Sequence, residues 1–319
     1  MPLSFITHSS GSLISVALCT YQAEAFLVRQ LNSVITQSHQ NIEIHIFDDG
    51  SDDASISIAS RYTETYPNIF LHINKVRLGF VKNFEQAIGL LSTKSDYIAL
   101  CDQDDIWHTN KLELCLHRLK ALEKEHPDQP LLAHSDLRMV DDKGKCIHPS
   151  FFDHKHIKLP TEKSLAKILG YNGVMGNTIL MNSKLAQLSL PFPSSLKYHD
   201  YWLALVNEAF GVRVTLNKQL IDYRIHANNA SDNKAQKKTS LKLSKPPFMN
   251  DNRAETLAYF LSYYEPSKQD RKIIEAFYSY LRLDENRFSL MLLLLKHGFL
   301  RNNWRYRLRV FRRLLFDLQ

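Results

Sequence analysis

The stretch Asp96-Tyr97-Ile98-Ala99-Leu100-Cys101-Asp102-Gln103-Asp104-Asp105 runs from a continuous apolar segment straight into a cluster of carboxylates. Residues 96–101 read as a strand buried on both faces, the pattern of a parallel sheet covered by helices. Ligands of such sheets bind beyond the carboxyl ends of the strands, so acids at that end mark a site. Capping the helix that follows over 109–126 would need one acid near its first turn, not three. Several negative charges at the end of a buried strand are costly unless a cation neutralises them. Oxygen ligands of this kind suit Mg²⁺ or Mn²⁺ better than zinc.

Working outward, residues 13–19, 42–47 and 69–73 form further short β-rich runs, and helical patterns lie between them. Leu27, Leu31, Val34 and Ile35 share one helical face, as do Phe80, Phe84, Ala87 and Ile88, and then Leu112, Cys115, Leu116, Leu119 and Leu122. These stripes read as core packing. Strands alternating with helices predict βαβ units in an α/β fold with a Rossmann-like, mainly parallel sheet. After Pro130 the rhythm changes to a strand over 131–140, a polar turn at 141–144, a strand near 174–181, a helix near 200–210 and strands near 212–225, which predicts a mixed second half. Residues 228–250 are rich in Asn, Ser, Lys and Pro without apolar periodicity and read as a mobile loop or linker. A helical extension follows. The expected division is a catalytic domain over 1–230, split near 130 into halves over 13–130 and 131–230, and a helical region over 251–319.

Two other strands also end in polar signatures, Thr20-Tyr21-Gln22 and Asp48-Asp49-Gly50-Ser51-Asp52-Asp53. The second alone is also a common turn before an N-capped helix. In chain order these join Leu78-Gly79 with Asn83, then Asp102-Gln103-Asp104 as a form of the D-x-D signature. Tyr198-His199-Asp200-Tyr201-Trp202 and Tyr223-Arg224-Ile225-His226 come later. Together they resemble the family 2 glycosyltransferases over residues 13–230. Asp-Gln-Asp-Asp followed by Ile106-Trp107, with the two later segments, is most similar to the rhamnosyltransferase-like bacterial branch. Tyr21-Gln22 stands where Tyr-Asn is frequent in the family. No Gln-x-x-Arg-Trp segment of the processive synthases is present.

The resemblance implies a GT-A fold and transfer of a single sugar with inversion. The donor would be a nucleotide-sugar, dTDP-rhamnose or a UDP-hexose, and the acceptor a hydroxyl of a glycan or lipid-linked intermediate in bacterial cell-surface polysaccharide synthesis. It implies that Thr20 and one of Asp48 or Asp49 contact the base, with Tyr21 and Gln103 in the same nucleotide-sugar site. Asp102 would hold the ribose, and Arg77 or Lys82 would neutralise diphosphate charge. Asp104 would ligate Mn²⁺ or Mg²⁺, with His226 a further ligand, and Asp200 would be the catalytic base. Bland readings stand beside these: a helix cap for Asp200, a solvated charge for Arg77, an ordinary histidine for His226, and core packing for Trp202.

With 44% apolar and 23% charged residues the chain has the composition of a globular protein, which excludes wholesale disorder. Most of the formal net charge of +7 sits in residues 296–319, so the body is nearly neutral and offers no nucleic-acid-binding surface. Leu300, Trp304, Leu308, Phe311 and Leu315 lie near one helical stripe beside Arg301, Arg305, Arg309 and Arg312. Such a helix suits the headgroups of an anionic membrane, or else it packs on the body with its arginines solvated. No Lys or Arg precedes the apolar run at 13–19, which reads as a strand rather than a signal peptide. No apolar run approaches the ~20 residues that span a bilayer. Cys19, Cys101, Cys115 and Cys146 show no metal-type spacing and read as reduced thiols. The expected setting is cytoplasmic, peripheral on the inner face of the membrane. The alternatives are a sugar-nucleotide nucleotidyltransferase, whose Gly-rich and basic N-terminal signature is missing, and a non-catalytic protein recruited to membrane or RNA by the tail.

Overall fold

The computed structural model describes residues 11–159, 163–226, 252–301 and 303–316. The first half alternates β1 (Ile14–Thr20), α1 (Leu27–Ile35), β2 (Ile42–Asp48), α2 (Ser55–Thr65), β3 (Ile69–Ile73), α3 (Phe80–Leu91), β4 (Tyr97–Cys101), β5 (Ile106–Trp107) and α4 (Lys111–Glu125). The second continues with β6 (Leu131–Val140), β7 (Cys146–His148), α5 (Phe151–Lys155), α6 (Leu165–Tyr171), β8 (Leu180–Asn182), α7 (Ser183–Leu188), α8 (His199–Phe210) and β9 (Val212–Arg224). Four helices close the described chain: α9 (Arg253–Tyr263), α10 (Lys268–Arg282), α11 (Arg287–His297) and α12 (Trp304–Phe316).

One sheet runs in the order β3-β2-β1-β4-β8-β6-β9-β5, with β7 paired to β6. β3, β2, β1 and β4 are mutually parallel, while β8 pairs antiparallel with both β4 and β6. The expected α/β architecture, parallel at first and mixed later, is therefore present. Side-chain alternation sorts each strand between two cores. Ile14, Val16 and Leu18 join Leu27, Leu31 and Leu112 on one face, while Ala17 and Cys19 join Phe84, Ile88, Trp202 and Leu203 on the other.

Differences from the expected elements have local causes. The strand expected near 174–181 is reduced to a 3-10 turn over Gly176–Thr178 and the short β8. The strands expected near 212–225 are one continuous β9, bent by register shifts against β6. Helix α2 has no apolar stripe to announce it, since Ile58 and Ala59 are its only buried apolar residues. The linker over 228–250 lies outside the described residues.

The helical extension shares the core of the sheet. Leu257, Phe260, Phe277, Leu294, Phe299, Val310 and Leu314 belong to the same buried cluster as Phe84 and Trp202. Gly170 of α6 approaches this region so closely that a Cβ there would stand 1.8 Å from the Phe299 carbonyl oxygen. The stripe expected on the tail needs correction. Tyr306, Val310 and Leu314, spaced by one helical turn, face inward, whereas Trp304 and Leu308 are 70% and 61% exposed. Arg301 precedes α12 and folds back onto the body, donating from Nη1 to the Lys155 carbonyl at 3.1 Å. No helix among the described residues is long and apolar enough to cross a membrane.

Candidate active site

Because β1, β2 and β4 are parallel, their carboxyl ends meet at one edge, and Thr20 and Asp48 are register partners there. Asp48, 1% exposed, accepts from Thr20 Oγ1 at 2.8 Å, from the Ser51 N–H at 2.7 Å and from Ser51 Oγ at 2.8 Å. Asp49 accepts the N–H groups of Leu78 at 2.7 Å and Gly79 at 2.8 Å, and the Asn74 amide at 3.0 Å. Gly79 can present its N–H because it holds φ +82°, a conformation costly for other residues. The Asp49 carboxylate thus builds the loop over 74–79, and that of Asp48 ties the end of β1 to the turn after β2. That loop lays the Arg77 guanidinium 3.8 Å from the centre of the Tyr21 ring. Gln103 accepts the Tyr21 N–H at 2.6 Å and ties the acid loop to the end of β1.

Beyond β4 the acids separate by environment. Asp105 is buried, accepting from the Asn177 amide and, at 3.3 Å, from the Arg224 N–H. Burial and the charges of Asp104 and Asp102 push its pKa well up. Arg224, 1% exposed, also donates to the carbonyls of Asp104 and Asp142, at 3.1 and 2.6 Å. It thereby pins the end of β9 over the cluster, which brings His226 Nε2 to 2.9 Å from Asp104 Oδ2. The imidazole is stacked on Phe26, with ring centres 4.5 Å apart. Burial raises the Asp102 pKa to about 7, helped by the charges of Asp104 and Asp200. Among the described residues no three His, Cys, Asp or Glu side chains form a metal-holding group. Asp104 and His226 offer two ligands, which fits a cation that takes one or two side chains and completes its shell from substrate phosphates and water.

Asp200 lies in the first turn of α8, after the N-cap position held by Tyr198, so it is not the helix cap. Its Oδ1 accepts the Tyr201 N–H at 2.6 Å, and a hydrogen bond from the Gly176 backbone adds to this. Burial nevertheless lifts its pKa to about 6, so it is a better base than a surface aspartate while still ionised at neutral pH. The neighbouring His199 turns inward, stacked on Phe84 with ring centres 4.0 Å apart, and burial lowers its pKa to about 3. Trp202 is fully buried and donates from Nε1 to the Ser189 carbonyl at 2.7 Å, a core residue.

The fold therefore gathers Thr20, Tyr21, Asp48, Asp49, Arg77, Asp102, Gln103, Asp104, His226 and Asp200 along one edge. Lys82 pairs with Glu85 one turn along α3, at 2.5 Å. Sequence reasoning missed the clamp formed by Arg224, Asp105 and Asn177. Asp105 and Arg224 lie inside quoted motifs, but Asn177, in a one-turn helix, carries no signal of its own.

Parallel strands ending in carboxylates, continued by a mixed half that returns a histidine to them, have the arrangement of a GT-A fold. Residues 15–172 match the family described as Glycosyl transferase family 2. An uncharacterized glycosyltransferase of Haemophilus influenzae is 27% identical over 257 residues, covering 78% of this chain and 75% of that protein. The Escherichia coli UDP-Glc:alpha-D-GlcNAc-diphosphoundecaprenol beta-1,3-glucosyltransferase WfaP is 24% identical, over 70% of this chain and 81% of that protein. The dTDP-rhamnosyl transferase RfbG of Shigella flexneri is 37% identical over a shorter segment, 30% of this chain and 34% of that protein. Among solved structures, S. aureus TarS 1-349 in complex with UDP-GlcNAc superposes with TM-score 0.59 at 17% identity, covering 95% of this chain and 81% of that chain. A mannosyltransferase from Pyrobaculum calidifontis in complex with GDP-Man and Mn²⁺ superposes with TM-score 0.56 at 14% identity, covering 97% and 88%.

Proposed function

We propose that the chain moves a single sugar, with inversion, from a nucleotide-sugar donor to a hydroxyl of a glycan or lipid-linked acceptor. The observation that carries this reading is the return of His226 from the second half of the chain to 2.9 Å from Asp104, beyond the parallel strand ends of the first half. Asp102, from the first half, and Asp200, from the second, are near enough for the Asp200 charge to help raise the Asp102 pKa. Asp200 takes the proton of the acceptor hydroxyl as that oxygen attacks the anomeric carbon from the face opposite the leaving diphosphate. Asp102 holds the ribose, Thr20 and Tyr21 flank the base, and Arg77 faces the diphosphate. Asp48 and Asp49 act by holding Thr20 and the Arg77 loop in place. Asp104 and His226 would hold Mn²⁺ or Mg²⁺, which when bound supplies Lewis-acid stabilisation of the departing phosphate.

The names of RfbG and WfaP support dTDP-rhamnose or a UDP-hexose as donor, and that of WfaP supports a lipid-linked acceptor. Exposed Trp304 and Leu308 beside exposed Arg305 and Arg309 suit docking on an anionic inner leaflet. The test is thermal stability with dTDP, UDP and GDP, with and without Mn²⁺. A ligand at a hundred times its Kd stabilises by about 2.7 kcal/mol. At least one nucleotide should do so, and only with the cation. No stabilisation by any nucleoside diphosphate would overturn the reading.

A further inference from the structure

Asp200 opens into a cleft of about 180 Å³ whose other walls include Lys155, Tyr171, Tyr198, Arg253 and Arg301. That volume is below the roughly 300–1,000 Å³ of pockets that enclose whole small molecules, so the cleft fits one compact group. Its charge is one-sided, since among the described residues that line it Asp200 is the only acid, against three basic side chains. The cations come from α5, from the start of α9 and from the turn before α12, parts of the chain far apart in sequence.

Backbone carbonyls and aromatic rings help to hold both arginines in place. Arg301 donates to the Lys155 carbonyl at 3.1 Å and lies 5.8 Å from the centres of the Tyr171 and Tyr306 rings. Its Nε is buried with no hydrogen-bond partner, and it has no acidic partner among the described residues. Arg253 donates to the Leu169 carbonyl at 3.0 Å and stacks 4.5 Å from the Tyr201 ring centre. Burial and the nearby Arg253 charge push the Arg301 pKa down, a penalty that a bound anion would relieve. Guanidinium groups match the planar, multidentate geometry of phosphate oxygens.

We infer that this cleft is a phosphate subsite for the acceptor, placing an acceptor phosphate beside the base that activates the acceptor hydroxyl. The inference rests on the glycosyltransferase reading and deepens it by naming the acceptor's chemistry. The phosphate could be carried by a lipid or by a water-soluble phosphorylated glycan. Both present the same group to Arg253, Arg301 and Lys155.

Binding of methyl phosphate and decyl phosphate, measured by calorimetry in EDTA, tests it. The wild type should bind, and Arg301→Gln should weaken binding at least tenfold. Arg271→Gln, on α10 and paired with Glu275, should bind as wild type does. Decyl phosphate binding at least tenfold tighter than methyl phosphate supports the subsite with a lipid source, and equal affinities support it with a soluble one. A second measurement needs no substitution: methyl phosphate should slow acetylation of Lys155, read by peptide mass. Absence of binding, equal binding by both variants, or displacement of methyl phosphate by UDP in the presence of Mn²⁺ overturns the subsite. If UDP with Mn²⁺ still binds in those cases, the glycosyltransferase reading stands and the acceptor assignment alone falls.

Discussion

Asp200→Asn keeps the size of the side chain and its Oδ1 acceptor for the Tyr201 N–H, while removing charge and basicity. A positioned general base contributes about 10²–10⁴-fold, so turnover should fall at least about 100-fold with the donor KM little changed. Because burial raises the Asp200 pKa to about 6, roughly one-tenth of the wild type is ionised at pH 5 and nine-tenths at pH 7. Wild-type turnover should therefore climb about tenfold per pH unit below 6 and level off above it, and the variant should lack that limb. Stability gives an independent reading. The folded-state carboxyl keeps its proton to higher pH than the value of 3.8 of an ordinary aspartate, so its contribution to stability falls as pH rises from about 4 through 6. Asparagine carries no such penalty. The variant should melt at or above wild type at pH 8, with the gap closing below pH 5. Nucleoside diphosphate release across pH 4.5–8.5, with scanning calorimetry, measures both. Turnover within tenfold of wild type, or an acidic limb that survives in the variant, would refute Asp200 as the base.

Chelation by EDTA, or Asp104→Asn with Mn²⁺ present, should lower nucleoside diphosphate affinity at least tenfold by calorimetry, because Asp102, Asp104 and two phosphates would then crowd like charges together. Undiminished affinity in both would sink the metal site. Asp49→Asn cannot accept at both positions, so one N–H of Leu78 or Gly79 loses its partner at a cost of about 1–3 kcal/mol. Urea unfolding within about 0.5 kcal/mol of wild type would deny it that role. Trp304→Ser with Leu308→Ser should release the protein from anionic liposomes while leaving the melting temperature unchanged, since both side chains are exposed. Unaltered flotation would refute the docking face. Deleting residues 297–319 should instead unfold the protein, because Phe299, Val310 and Leu314 leave the core; a truncated chain that melts as wild type does would show that α12 contributes nothing to it.

What was legible in the sequence followed from period and position. β4 is a continuous apolar run, β1 is one but for Ser15, and β2 alternates Ile42, Ile44 and Ile46 with Glu43 and His45; each ends in the polar residues that a parallel sheet places at one edge. Helices α1, α3 and α4 carry clean stripes, so their buried faces could be read directly. The short β8 and the short helices α6 and α7 could not be read, because segments of three to seven residues hold at most about two repeats of their pattern, too few to separate helix from strand. The tail was half legible. Its amphipathicity was visible, but which of two adjacent stripes faces the body depends on tertiary packing, and the inward stripe is Tyr306-Val310-Leu314. Arg301 looked like one more tail cation, since nothing local shows that it precedes the helix and folds back beside Asp200.

Carboxylates at the strand edge look alike in sequence, and hydrogen-bond donors tell them apart. Asp48 and Asp49 each receive three hydrogen bonds from groups fixed by a turn or a loop, which satisfies a buried anion without a cation. Asp102 and Asp200 are raised by burial, and Asp102 also by neighbouring acids; Asp104 has His226 beside it. The charge of the first pair is therefore satisfied within the fold, and its removal should cost stability. The others hold a local excess of negative charge that a bound divalent cation would relieve, and their removal should cost binding or turnover. The charge left unsatisfied by the fold is what makes this edge a site.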